Sequence, residues 1–218
     1  MRVIDFTAER RNMVQTQLRQ RGILDERVLA AMGKVLRHEF VAKEYQEQAY
    51  EDHPVPIGEG QTLSQPYIVA LMLEALSLQG SERVLEVGTG SGYQAALLAE
   101  LALRVCSVER YPSLAHSAEE VLRRLCYGNA TVIVGDGSQG WAQEAPFDAI
   151  VVSAAAPRIP PALFEQLREG GRMIIPVGPA SAQELQFVRK QQGRSSVVSL
   201  EGCRFVPLVG EQGYPHGW

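Results

Sequence analysis

The chain has 218 residues, 45% of them apolar and 21% charged, and carries a formal charge of -4. These are ordinary globular proportions, which exclude disorder and a fibrous repeat. The acidic balance, with no block of like charges, provides no electrostatic footprint for nucleic acid or an anionic membrane, so neither is expected as a partner. A chain of this length can bury one sizeable core, and a single domain over residues 1–218 is expected.

The cysteines Cys106, Cys126 and Cys203 are widely spaced and form no CxxC pair. That spacing predicts neither a metal site nor a disulfide framework, and fits a reducing, cytoplasmic setting. "MRVIDFTAERR" lacks the apolar core of a secretory signal, and "YIVALMLEALSL" is too short for a membrane span and is interrupted by Glu74.

In chain order, helical patterns come first. They are "ERRNMVQTQLRQRG" (9–22), "DERVLAAMGKV" (25–35) behind an Asp25 cap, and "PYIVALMLEALSLQ" (66–79). They make residues 1–80 a helical cap. Over 81–178, short β-branched runs alternate with amphipathic segments, the pattern of repeated βα units and a mostly parallel sheet. The strands are predicted at 83–88, 104–110, 131–137, 147–154 and 171–178. Helices are predicted in "GYQAALLAELA" (92–102), "PSLAHSAEEVLRRLC" (112–126) and "ALFEQLREGG" (162–171), the last stopping at its paired glycines. Over 179–218 the pattern changes, and "QELQFVRKQ" with "SSVVSLEGCRFVPLVG", joined by the turn "QGRS", predicts an antiparallel hairpin.

Between cap and sheet lies "GEGQTLSQP" (58–66), a polar loop with no histidine, lysine or catalytic base inside it to activate Ser64. Two readings of Ser64 stand side by side: a cap for the helix that starts at Pro66, or a ligand for a substrate that needs no base.

"VLEVGTGSGY" (84–93) is a strand entering a glycine-rich turn and then a helix, at the carboxyl end of the first core strand, where open α/β sheets bind ligands. The spacing GxGxG fits the dinucleotide fingerprint poorly, the absence of a following Lys-Ser/Thr excludes a P-loop, and Ser91 lacks the flanking glycines of a nucleophile elbow. Glu109 ends the second core strand, where it is either an acceptor for ribose hydroxyls or a solvated strand-end charge. Asp136, in "GDG" (135–137), is either an acceptor for an adenine amino group, with Gly137 admitting the ring, or part of a Gly-Asp-Gly turn. Together these features suit a nucleoside ligand without phosphate, such as S-adenosylmethionine.

The set "PIGEGQTLSQP", "LEVGTGSGY", "VGDGSQGW", "FDAIVVSAAAP" and "GGRMIIPVG", in this order, resembles the protein-L-isoaspartate O-methyltransferase family, and the likeness runs through nearly the whole chain, from "RGILDERVLAAMGKVLRHEFV" to "FVPLVGEQG". The resemblance implies the Rossmann-like fold of S-adenosylmethionine-dependent methyltransferases: a mostly parallel seven-stranded sheet with an N-terminal helical cap and a C-terminal antiparallel hairpin. It implies methyl transfer from S-adenosylmethionine to the α-carboxylate of L-isoaspartyl residues in damaged proteins, yielding S-adenosylhomocysteine and an ester that collapses to a succinimide. Gly88, Thr89, Gly90, Glu109, Asp136 and Gly137 are implied cofactor contacts. Ile57, Gln61 and Ser64 are implied at the junction of cofactor and substrate, with Ser64 as the catalytic residue, and Leu63 stands where the family has isoleucine. A monomer is expected.

The chemistry suits a loop without a base. A carboxylic acid with a pKa near ~4 is already ionised at neutral pH, so the protein needs only to aim it at the sulfonium methyl and exclude water. Alternatives are a methyltransferase acting on a small molecule or a nucleic-acid base, and a non-catalytic adenosyl-ligand sensor. Base methylation is disfavoured because "SAAAP" stands where an Asn-Pro-Pro-aromatic motif is expected, and a sensor would not need the polar loop. His53 is read as a surface residue, Asp148 as structural, and Trp141 as packing or adenine pocket.

Overall fold

Helix α1 (Phe6–Asn12) starts at Asp5, whose carboxylate accepts from the Thr7 and Ala8 amides, and it continues as wider and then tighter turns to Arg21, where Gly22 in the left-handed conformation ends it. The structure, a computed structural model, describes residues 4–217. Helix α2 (Glu26–Lys34) is capped by Asp25, as its sequence predicts, through the Arg27 and Val28 amides. Strands β1 (Val55–Gly58) and β2 (Gln61–Leu63) then form a small hairpin that was not anticipated. Its turn needs successive left-handed residues, Gly58, Glu59 and Gly60, at φ +97°, +50° and +68°. Helix α3 (Pro66–Leu76) follows with proline at its first position.

The sheet begins at β3 (Arg83–Val87), followed by α4 (Tyr93–Leu101), β4 (Arg104–Glu109), α5 (Pro112–Arg124), β5 (Ala130–Val134), β6 (Phe147–Val152), α6 (Pro161–Gln166), β7 (Leu167–Val177), β8 (Gln183–Gln191) and β9 (Arg194–Cys203). Its seven strands lie in the order β5-β4-β3-β6-β7-β8-β9. The first five pair in parallel, and β8 and β9 complete the sheet antiparallel, as the change of pattern after residue 178 predicts. Strand order reverses at β3, which has β4 on one side and β6 on the other, and the crevice opens there.

Alternation along each strand divides the core. Val84, Val105 and Val151 face α1–α4, whereas Leu85, Cys106 and Ile150 face the side that holds α6 and Leu208. Helix α4 is apolar on nearly every side because it lies between the sheet and the helical cap.

Two boundaries differ from the sequence reading. The helix expected over 162–171 ends at Gln166, and its last segment is strand. Leu167 pairs with Phe147, and Lys190 donates to the carbonyls of Phe164, Glu165 and Leu167, so tertiary partners end the helix before the glycines do. The third core strand stops at Val134, and "GDG" leaves the sheet as a tight turn.

Glu82, just before β3, accepts from the amides of Gln79, Gly80 and Ser81 and faces Arg172 on β7 at 3.4 Å. Burial opposes its charge, but these donors together hold its pKa below the ordinary carboxylate value. The folded-state pKa is depressed, so the stabilisation is present at neutral pH and lost as pH falls from ~4.3 through the folded value. E82Q is expected to cost about 1–3 kcal/mol at neutral pH, with the deficit shrinking in acid, in urea unfolding at a series of pH values.

Candidate active site

Beyond Val87 the chain leaves the sheet through Gly88, Thr89 and Gly90. Gly88 (φ +91°) donates its amide to Val108 at 2.9 Å, which carries the parallel ladder one residue past the strand and sets the height of the turn. At the end of β4, the buried Glu109 accepts from Gly90 through one oxygen and from Tyr111 through the other, both at 2.9 Å. Each oxygen retains acceptor capacity, so Glu109 orders the turn and can still take hydrogen bonds from ligand hydroxyls.

This turn borders a cavity in which Glu109 and Gly137 meet Ile57, Gln61 and Ser64 from the β1–β2 hairpin. Val206 to Val209 form another wall. Of the residues predicted for the site, all except Asp136 line this cavity. Gly137 is there because a Cβ would stand 2.5 Å from Val87 Cγ1, beneath it.

Asp136 stands behind this lining, in the turn that carries Gly137. Its carboxylate accepts from the Ser138 amide and hydroxyl, from Gln139, and from the Glu211 amide at 2.8 Å. Burial works against the charge, yet these donors hold its pKa below the usual value. The residue forms the Gly-Asp-Gly turn, and it also clamps the C-terminal loop that supplies Val206–Val209. Ser138 adds to the clamp by accepting from the Gln212 amide at 2.9 Å.

Glu86 was not singled out in the sequence, where it reads as one strand residue among many. It is fully buried; Ser107 donates to one oxygen at 2.5 Å, the Ser107 hydroxyl lies 2.5 Å from that of Thr89, and the other oxygen, near the Gln94 amide, has no well-formed hydrogen bond among the described residues. Burial, with the nearby Glu109 charge adding to it, pushes the Glu86 pKa up to about 8. Glu86 is thus a neutral acid at pH 7 beneath the glycine turn. On the cavity wall, the buried Ser91 hydroxyl has no hydrogen-bond partner among the described residues.

Ser64 does not cap α3: the cap position is Gln65, and no side chain bonds there. Its hydroxyl is free of protein hydrogen bonds among the described residues. Its carbonyl, however, accepts at 2.7 Å from Arg37, a residue that periodicity did not mark. Arg37 is completely buried, bonds the Ala49 carbonyl at 2.6 Å and stacks 4.8 Å from the Tyr93 ring centroid. Ser64, Thr62, Ser153 and Val206 also border a second, wider cleft on the other side of the hairpin, which reaches Tyr67, Glu201 and Arg204.

The residues set aside in the sequence lie elsewhere. His53 bonds Glu51 and the Pro54 carbonyl and lines neither cavity, and Asp148 accepts from the Arg83 amide and pairs with Arg168. Trp141 packs against the core on the α6 side, away from the cavity.

The raised Glu86 pKa has a thermodynamic consequence. Between ~4.3 and about 8 the folded chain holds a proton that the unfolded chain releases, so stability declines as pH rises through that window. E86Q releases no proton, and its stability relative to the wild type is expected to improve steadily from pH ~5 to ~8 in denaturant titrations.

The profile of the protein-L-isoaspartate(D-aspartate) O-methyltransferase family matches residues 8–213. A protein-L-isoaspartate O-methyltransferase of Koribacter versatilis is 58% identical over 209 residues, spanning 96% of this chain and 94% of its own. One of Methanoculleus marisnigri is 57% identical over 206 residues, spanning 94% of each chain. Among solved structures, a protein-L-isoaspartate O-methyltransferase superposes with a TM-score of 0.85 at 30% identity, covering 94% of this chain and 67% of that one. A putative protein-L-isoaspartate O-methyltransferase of Plasmodium falciparum, in complex with S-adenosyl-L-homocysteine, superposes with a TM-score of 0.78 at 27% identity, covering 93% and 97% of the two chains. With family profile, sequence relatives and fold in agreement over almost the full length, the chain belongs to the protein-L-isoaspartate O-methyltransferase family.

Proposed function

We propose that Ser64 holds the acceptor carboxylate at the seam of two cavities, with S-adenosylmethionine on one side and the isoaspartyl peptide on the other. The reaction is methyl transfer from S-adenosylmethionine to isoaspartyl residues of proteins. The observation that carries the assignment is that Ser64 borders both the glycine-turn cavity and the wider cleft, with a hydroxyl that no protein group engages.

The lining fits the cofactor. Glu109 offers acceptor capacity for two hydroxyls, and among the described residues Arg110 is the single basic residue lining the cavity, beside a carboxylate that would repel a polyphosphate, which suits an adenosyl ligand better. When bound, S-adenosylmethionine supplies an electrophilic methyl group on a sulfonium. The residues of the chain then act by binding and aiming. Ser64 donates to one oxygen of the acceptor and leaves the other free; with the cofactor bound, that oxygen would take the methyl group as its bond to sulfur broke and the electron pair stayed on sulfur, so the chain would have no proton to move. Ile57 and Leu63 help keep water from the attacking oxygen. Glu86 lies below the turn as a neutral acid and takes no part in proton transfer. A monomer in a reducing cytoplasm fits the free thiols of Cys106, Cys126 and Cys203.

S64A is expected to lower kcat on an isoaspartyl peptide by about tenfold or more while leaving S-adenosylhomocysteine binding within about twofold, read by methyl transfer and calorimetry. Equal losses in both would remove Ser64 from the substrate side. Because the acceptor arrives ionised, kcat/KM should rise with a limb near ~4 and stay level from about pH 6 to 7, below the range in which Glu86 ionises. A further limb that vanishes in H53Q would show that a protein base takes part.

A further inference from the structure

Arg37 is the least expected charge in the molecule. It is 0% exposed, lies in neither cavity lining, and among the described residues no carboxylate comes within ion-pair distance of it. The acid whose field reaches it, Asp52, is already paired with Arg21 at 2.7 Å near the surface. Its bonds go to the carbonyls of Ala49 and Ser64, its remaining terminal nitrogen has no hydrogen-bond acceptor among the described residues, and the Tyr93 ring covers it. A buried ion without a counter-ion is costly, and an arginine cannot shed the cost by releasing its proton. Such an arrangement is understandable where an anion is to be received nearby. The backbone carbonyls keep the cation solvated without cancelling its charge.

We infer that Arg37 is a positioning residue for methyl transfer: its guanidinium fixes the Ser64 carbonyl, and its uncancelled charge draws the ionised carboxylate of the isoaspartyl substrate to Ser64. The inference rests on the substrate role of Ser64 proposed above. A carboxylate bonded to the Ser64 hydroxyl would lie roughly 6–8 Å from a guanidinium that bonds the carbonyl of the same residue. At that range a partly buried charge favours an anion over its neutral analogue by about ten- to hundredfold in affinity. The acceptor loses its negative charge as the methyl group arrives, so the cation favours the bound substrate over the transition state. It acts on KM more than on kcat.

The test compares an isoaspartyl peptide with its twin carrying an α-carboxamide, each titrated calorimetrically against enzyme saturated with S-adenosylhomocysteine. The wild type is expected to prefer the carboxylate by about ten- to hundredfold. R37M should lose most of that preference while binding the carboxamide peptide as before, and R37K, which restores the charge without the fork, should recover the preference with a lower kcat. A merely structural Arg37 would weaken both peptides alike. The exposed Arg21 and Arg204 also border the wider cleft, and salt separates their contribution: the wild-type preference should survive at about 1 M sodium chloride, where surface charges are screened. This arm needs no variant, so it decides the matter even if R37M fails to fold. Preference that persists in a folded R37M, or that disappears in high salt, overturns the role of Arg37 alone. A wild type that does not distinguish the two peptides, or an S64A enzyme that prefers the carboxylate undiminished, overturns the substrate role of Ser64 and this inference with it.

Discussion

The parallel hydrogen-bond ladder between β3 and its two neighbours is the constraint from which the site follows. Past the strand ends it continues through Gly88 to Val108 at 2.9 Å and from Ser153 to Val87 at 2.8 Å, while Gly135 donates to Glu109 at 2.9 Å. These bonds bring the glycine turn, the carboxylate of Glu109 and the turn at Gly137 to one edge of the sheet. Side chains that share no sequence neighbourhood then surround one space. The helical cap closes that space from above by placing the β1–β2 hairpin across it, so substrate chemistry is superimposed on a cofactor frame that the strands alone define.

The molecule treats its two most buried charges-to-be in opposite ways. Glu86 takes up a proton and becomes a neutral hydrogen-bonding group under the turn, because a carboxylic acid can relieve desolvation by giving up its charge. Arg37 has no such escape and is instead surrounded by carbonyl dipoles and an aromatic face. Both sit within the framework of the site, which ties the electrostatics of the reaction to groups that never meet solvent.

Much of this was legible in the sequence, for identifiable reasons. The central parallel strands β3, β4 and β6 appear as β-branched runs because they are buried on both faces, and the change to alternating polarity after Gly178 marks β8, which buries one face. The glycine turn and Glu109 could be placed by position, and the loop around Ser64 by its resemblance to one family. What stayed hidden depends on distant partners. Arg37 lies just past the helix predicted over 25–35 and nothing local marks it, since its partners are Ala49 and Ser64, 12 and 27 residues away. The clamp that Asp136 makes stayed hidden because nothing near it in sequence reveals the Glu211 amide that it holds. Likewise, the paired glycines at 170–171 suggest a helix end, but Lys190 from a later strand determines where α6 stops.

The wall formed by Val206–Val209 comes from a loop held by Asp136 and Ser138 and, at Tyr214, by a bond to the Gly178 carbonyl at 2.9 Å. All the other sides of the cavity are encoded earlier in the gene. A nascent polypeptide can therefore assemble the sheet and the helical cap and yet lack one wall of the cavity until residues 206–214 have emerged from the ribosome.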